Sequence, residues 1–201
     1  MRIFLIRHAK TKHSKTRFIS DDALDLGIED LYEVNLNETV RCFRSSKITI
    51  NHVYSSPYKR SIETARAIFP KTQLEVVSCF KELDKGFDKF LLQNKDKCNM
   101  TVDDWESIYN NGSFKEKSAY LYPSGISIQN YITEVVDAFL NIVKNNQDNI
   151  AIVCHNGTIK AILTEVLGGD ISLYFRIKTE NSKISEIEYE NSFFKLISLN
   201  C

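Results

Sequence analysis

The 201-residue chain has no surplus of either charge, since 26 Lys and Arg stand against 26 Asp and Glu. Such a chain has no global field drawing it to nucleic acid or to a membrane, so neither is expected as a partner and any electrostatic function must be local. Long apolar runs are also missing near its start. The stretch from Ile3 to Ile6 is far too short for a signal-peptide core or a membrane span, and a cytoplasmic protein is expected. Cysteine is scattered: Cys42, Cys79, Cys98, Cys154 and Cys201 are odd in number and contain no CxxC pair. Reduced thiols follow, and a zinc site is not expected. There is no repeat, low-complexity tract or convincing linker. With 43% hydrophobic residues, the chain reads as one globular domain, 1–201, large enough to bury most of its apolar surface around a cleft.

Against this neutral background one local asymmetry stands out. Arg2, Arg7, Lys10, Lys12, Lys15 and Arg17 all precede the first acidic residue, Asp21. The run is either a solvated basic face or a loop that steers an anion, and only the rest of the sequence can decide.

The remainder alternates strands and helices. "RIFLIR" (Arg2 to Arg7) and "NIAIVC" (Asn149 to Cys154) are apolar runs rich in branched residues, the signature of buried strands in a mainly parallel sheet. "YKRSIETARAIF" follows Pro57 and repeats Ile62, Ala65, Ile68 and Phe69 at helical spacing. A longer stripe of Ile128, Ile132, Val135, Val136, Phe139 and Val143 predicts a core-covering helix after "PSG", with Asp137, Asn141 and Lys144 on another face. The C-terminal "SKISEIEYENSFFKLISL" reads as two strands with a turn at Glu190 to Ser192, an edge hairpin. Residues 86–122 are polar and read as an inserted, partly helical excursion, with Thr101 as a helix cap. It is either the lid of a site or plain surface.

A histidine follows each apolar strand. In an open α/β sheet, ligands bind beyond the carboxyl ends of parallel strands, so neighbouring strands would send His8 and His155 into one crevice. Each alone could equally be a hydrogen-bonded structural residue. A strand through Tyr54 would end at Ser55 and Ser56 and place Arg60 in the first turn of the next helix. There it either meets an anion at the helix start or pairs with Glu63 on the surface. "HNG", His155 to Gly157, again ends a strand and opens a helix, so the amides of Asn156 and Gly157 are candidates to face the same ligand. Two arginines, two imidazoles and a helix start suit a phosphoryl group.

Taken in order, Arg7-His8 in "LIRHAKT", Arg60 in "SSPYKRSIETA", Glu82 in "FKELDKG" and His155 in "VCHNGTIKAIL" resemble the motifs of the histidine phosphatase superfamily, also called the phosphoglycerate mutase-like fold. The resemblance runs from the first residues to "NSKISEIEY". It implies an α/β, three-layer sandwich with a mainly parallel central sheet flanked by helices, and a phosphoric monoester hydrolase of the histidine acid type that needs no metal or other cofactor. His8 would be the nucleophile and form a phosphohistidine that water hydrolyses. It must be neutral to attack. Arg7, Arg60 and His155 would bind the non-bridging oxygens, and Glu82 would protonate the leaving oxygen and then activate water. Without the resemblance, Glu82 is an ordinary glutamate near Asp84. Lys10 and His13, with Lys12 and Arg17, would touch substrate at the rim.

The sequence departs from the family pattern at Ala9 and Lys10, where glycine and an acidic residue are common, and at Ile126 in "SGISIQ", where glutamate is usual. These changes argue against a phosphoglycerate mutase. The expected substrate is a small phosphorylated metabolite or a phosphoprotein. The competing readings are a phosphomutase, which would convert isomers without releasing phosphate, and a phosphate-binding protein without catalysis, which would need neither His8 nor Glu82.

Overall fold

The computed structural model describes residues 1–11, 25–29, 34–46, 48–86, 107–108 and 110–201. Its core is a six-stranded sheet of β1 (Arg2–Arg7), β2 (His52–Ser55), β3 (Leu74–Val76), β4 (Ile150–Cys154), β5 (Ile184–Glu190) and β6 (Phe193–Ser198), in the order β3-β2-β4-β1-β5-β6. β3, β2, β4 and β1 are parallel neighbours. β5 runs antiparallel to β1, and β6 antiparallel to β5. The expected mainly parallel α/β sandwich is the fold found.

β1 is apolar throughout because both of its faces are covered. Ile3 and Leu5 enter the core shared with α4 (Ile128–Lys144) and α5 (Asn156–Val166), while Phe4 and Ile6 enter the core shared with α1 (Val34–Ser45) and α2 (Lys59–Ile68). β4 divides in the same way, with Ile150 and Ile152 on one side and Ala151 and Val153 on the other. Each fully buried branched side chain is worth roughly 1.5–3 kcal/mol, so these two strands anchor the domain. In α4 the buried face is Ile128, Tyr131, Val135, Phe139, Ile142 and Val143. The expected stripe is thus turned slightly toward Tyr131 and Ile142, leaving Ile132 and Val136 half-buried, with Asp137, Asn141 and Lys144 exposed as anticipated.

The C-terminal hairpin also forms as expected, with β6 as the edge strand. Asn191 and Ser192 take φ of 51° and 63°, the doubly left-handed turn whose twist matches a two-residue hairpin. Of the polar excursion, the described part includes α3 (Phe114–Ala119), opened by a reciprocal Ser113–Glu116 capping box and stacked through Phe114 on Phe175 of α6 (Ile171–Arg176), with ring centroids 5.4 Å apart. Its two ends meet where Ser124 N donates to Lys85 O at 3.2 Å. Gly86 makes that closure feasible: its φ is +70°, and a Cβ there would stand 2.5 Å from Ser124 N. Thr101, Lys12, His13, Lys15 and Arg17 lie outside the described residues, as does most of the segment read as a lid. Among the described residues no helix is long and apolar enough to cross a membrane.

The topology opens a crevice between β1 and β4. The chain leaves β1 through α1 toward β2 on one face, and leaves β4 through α5 and α6 toward β5 on the other. Connections that diverge in this way leave room beyond the carboxyl ends of the two strands.

Candidate active site

β1 and β4 pair with Arg7 opposite Cys154, so His8 and His155 come side by side one residue later. His8 N donates to Cys154 O at 2.9 Å, and the two imidazole centroids are 5.0 Å apart. Ser56 directly follows β2, its N donating to Val153 O at 3.0 Å. The sheet alone therefore gathers three polar side chains that lie 48 and 99 positions apart in sequence.

His8 is 8% exposed, and its ring is oriented from one side. Nδ1 lies 2.7 Å from Ala9 O, which can only accept, so the proton sits on Nδ1 and the lone pair on Nε2. Arg60 Nε donates to that Nε2 at 3.3 Å. Burial above all, then the charge of Arg60 and to a lesser degree of Arg7, pulls His8 down to about 3, against the opposing Ala9 contact. The imidazole is neutral at physiological pH.

Arg60 is 2% exposed, which removes it from the surface pairing with Glu63. Its Nη2 lies 3.2 Å from His155 Nδ1, and its guanidinium carbon sits 4.6 Å from the Tyr58 ring centroid. The helix start is fixed to the loop after His8 by Thr64, whose hydroxyl donates to Arg60 O at 2.7 Å and accepts from Ala9 N at 2.9 Å. Because an arginine only donates, His155 Nδ1 is the acceptor. His155 Nε2 then carries the proton toward Ser56 Oγ at 2.7 Å, with Ser61 Oγ 3.4 Å away. Burial above all, then coupling to the neighbouring His8 imidazole and the charges of Arg60 and Arg7, push His155 well below its ordinary value.

Arg7 is held from the far side of β1, with Nη1 donating to Thr179 O at 2.8 Å. Thr179 Oγ1 in turn donates to Asn156 Oδ1 at 2.9 Å, and Asn181 Nδ2 donates to His8 O at 2.8 Å. Arg7 Nε is buried with no hydrogen-bond partner among the described residues.

Glu82 is half-buried and joins the same group, against the bare expectation of a surface glutamate. Gly157 N donates to both of its carboxylate oxygens, at 3.1 and 3.2 Å, and Leu83 N donates at 3.1 Å. The Gly157 amide, expected to face the ligand, instead seats this carboxylate. Only glycine permits it, since a Cβ would stand 2.2 Å from Glu82 Oε1. Behind it, Tyr131 Oη donates to Lys81 O at 2.8 Å and lies 2.9 Å from Thr158 Oγ1, so the peptide before Glu82 is fixed from the core. Lys10 is exposed, one residue beyond Ala9.

Arg7, His8, Arg60, Glu82, His155, Asn156 and Gly157 are thus brought together, while His13 lies outside the described residues. Sequence reasoning missed Ser56, Ser61, Thr64, Tyr58, Thr179 and Asn181. The first three carried a signal: polar residues on the otherwise apolar side of α2 and at the end of a buried strand. Thr179 and Asn181 sit in a non-periodic loop and carried none.

Residues 3–201 match the histidine phosphatase superfamily (branch 1). The chain belongs to that superfamily. Within it, the protein is 27% identical over 207 residues to a Hydrogenobacter thermophilus protein provisionally named phosphoserine phosphatase 2, covering 99% of this chain and 95% of that one. Solved structures of this histidine phosphatase fold include a variant of Entamoeba histolytica phosphoserine phosphatase in complex with phosphoserine, with TM-score 0.71, 20% identity and coverage of 99% and 96%. A mycobacterial glucosyl-3-phosphoglycerate phosphatase superposes with TM-score 0.73 at 14% identity, covering 100% of this chain and 98% of that one.

Proposed function

We propose that this histidine phosphatase hydrolyses a small phosphomonoester through a phosphohistidine on His8. The observation that carries the reading is the state of His8: neutral, with Nδ1 committed to Ala9 O and the Nε2 lone pair pointing at the Arg60 guanidinium. A phosphoryl group entering there would take the Arg60 donors and the unused Arg7 Nε, and present phosphorus to Nε2. The Nε2–P bond forms as the ester P–O bond breaks, and Glu82 gives its proton to the departing oxygen. Water then attacks phosphorus, Glu82 takes its proton, and the Nε2–P bond breaks. His155, whose Nδ1 accepts from Arg60, would take up a proton there to donate to a phosphoryl oxygen. The relatives are named for phosphoserine and glucosyl-3-phosphoglycerate, which supports a metabolite over a phosphoprotein.

The test is phosphate release from a panel of phosphomonoesters in excess EDTA, with rapid quenching to trap an acid-labile, base-stable phosphoenzyme. Release together with the trapped intermediate is the expected result. Conversion of isomers without release would make the protein a mutase, and neither release nor a phosphoenzyme on any ester would reduce it to a binding protein.

The seat of Glu82 supplies a second test. Gly157→Ala improves helix propensity, so it should not lower Tm, yet its methyl must displace the carboxylate. We expect kcat/KM on esters of poorly acidic alcohols to fall by about a hundredfold or more, the worth of general acid catalysis, with a smaller loss on p-nitrophenyl phosphate. Equal losses on both would contradict the role of Glu82.

A further inference from the structure

Arg60 needs a hold that its two imidazole partners cannot give throughout a turnover. Its bonds to them are long, 3.3 Å from Nε to His8 Nε2 and 3.2 Å from Nη2 to His155 Nδ1. In the proposed reaction both acceptors are used up: Nε2 gives its lone pair to phosphorus, and Nδ1 takes the proton it donates to a phosphoryl oxygen. The contact of Arg60 with the half-buried Tyr58 ring is untouched by that chemistry. The guanidinium carbon sits over this ring, 4.6 Å from its centroid, and the His155 ring meets it edge-on at 72°, with centroids 5.3 Å apart. A cation over a ring face is held without an acceptor atom. The attraction therefore survives when the guanidinium turns its donors from imidazole nitrogens to oxygens.

The placement of Tyr58 carries the same message. It stands at the N-cap of α2, with φ −69° and ψ 139°, where Ser, Thr, Asp or Asn is favoured because its side chain bonds first-turn amides. Tyr58 supplies no such side-chain cap. Part of that service comes from another segment, since Lys59 N donates to Asp25 Oδ1 at 2.8 Å. The Tyr58 backbone is meanwhile fixed on both sides. Its N donates to Ser56 Oγ at 3.3 Å, the same oxygen that meets His155 Nε2 at 2.7 Å, and its carbonyl accepts from Ser61 N at 2.9 Å and Ile62 N at 3.2 Å. A residue that breaks the local rule for a helix start, and is nonetheless held this firmly, has its use outside the helix. We infer that Tyr58 is a positioning residue: its ring keeps the Arg60 guanidinium in line while that group passes from the two imidazoles to the phosphoryl oxygens. The inference rests on the phosphatase reading.

Tyr58→Leu, Tyr58→Phe and Tyr58→Ser test it, read by kcat/KM on p-nitrophenyl phosphate, by orthophosphate affinity from titration calorimetry and by Tm. Tyr58→Leu should lower kcat/KM by about 3- to 30-fold, the range of a desolvated cation–ring contact, and Tyr58→Phe, which keeps the ring, should restore most of it. In an Arg60→Ala background the same Tyr58→Leu change should cost less than about twofold, because the group it positions is gone. Tyr58→Ser supplies the missing cap, so it should hold or raise Tm while losing activity as the leucine variant does. An equal loss with and without Arg60, an equal loss in the leucine and phenylalanine variants, or a fall in Tm that accounts for the lost activity overturns the role of Tyr58 and leaves the phosphatase reading intact. If wild type hydrolyses no ester, orthophosphate binding separates the two ideas. Weaker binding in Tyr58→Leu but not in Tyr58→Phe keeps the role of Tyr58 and overturns the phosphatase reading alone, whereas unchanged binding in both overturns both.

Discussion

His8→Ala is expected to abolish the trapped phosphoenzyme and to lower kcat/KM by at least about 10⁴-fold, because no other side chain at the strand ends can replace a covalent nucleophile. The fold should survive. The His8 side chain makes two hydrogen bonds, to the carbonyl of its own neighbour Ala9 and from Arg60 Nε, whereas the strand is held by Ile3, Phe4, Leu5 and Ile6 in two cores. The substitution also has a signature in pH. The folded state holds His8 near 3, below its ordinary 6.5, so below pH 6.5 the unfolded chain binds a proton that the folded one refuses. Stability should therefore be full above pH 6.5 and fall as the pH drops toward 3, by about 1.4 kcal/mol per pH unit for each such histidine. His155 acts in the same direction. Denaturant melts of His8→Ala between pH 7 and 4 should thus show a shallower acid decline than wild type. A parallel decline, or loss of cooperative unfolding at neutral pH, would contradict the assignment.

Arg60→Ala should cost about 2–4 kcal/mol of transition-state stabilisation, a drop in kcat/KM of about 30- to 1000-fold, as for other donors to a developing oxyanion. The geometry makes Arg60→Lys a poor rescue. Nε reaches His8 while Nη2 reaches His155, and one ammonium cannot occupy both positions. The variant also has a spectroscopic consequence. Arg60 is one of the charges that hold both imidazoles down, so removing it should raise the titration of His8 and His155, readable by NMR of the ring protons. An unchanged kcat/KM would take Arg60 out of the site.

The parts of the fold legible in the sequence were those written in periodicity. β1, β4 and α4 are long or fully apolar, and each position within them repeats the same instruction. α1, β3 and α6 were not read, because a three-residue strand and a six-residue helix offer too few repeats to rise above their surroundings, and α1 buries only Leu36 and Thr39. The cluster of His8, Arg60 and His155 was legible because strand-end histidines and a helix-start arginine are located by the sheet rule itself. Its supports were not. Thr179 reaches Arg7 across 172 positions, and the Gly157 amide serves Glu82 rather than the ligand, a choice that depends on where the loop after β3 falls.

His8 and His155 close the two central strands of the sheet, whereas Glu82 follows a three-residue edge strand and a single 3-10 turn (Ser78–Phe80). Amides in paired central strands exchange with solvent only when the whole sheet opens, while an edge segment can open by itself. On the proposed mechanism, nucleophile and proton donor would therefore be mounted on parts with different opening rates. On that mechanism, changes in the loops around Glu82 would retune which alcohol departs without loosening the side chains that meet phosphorus.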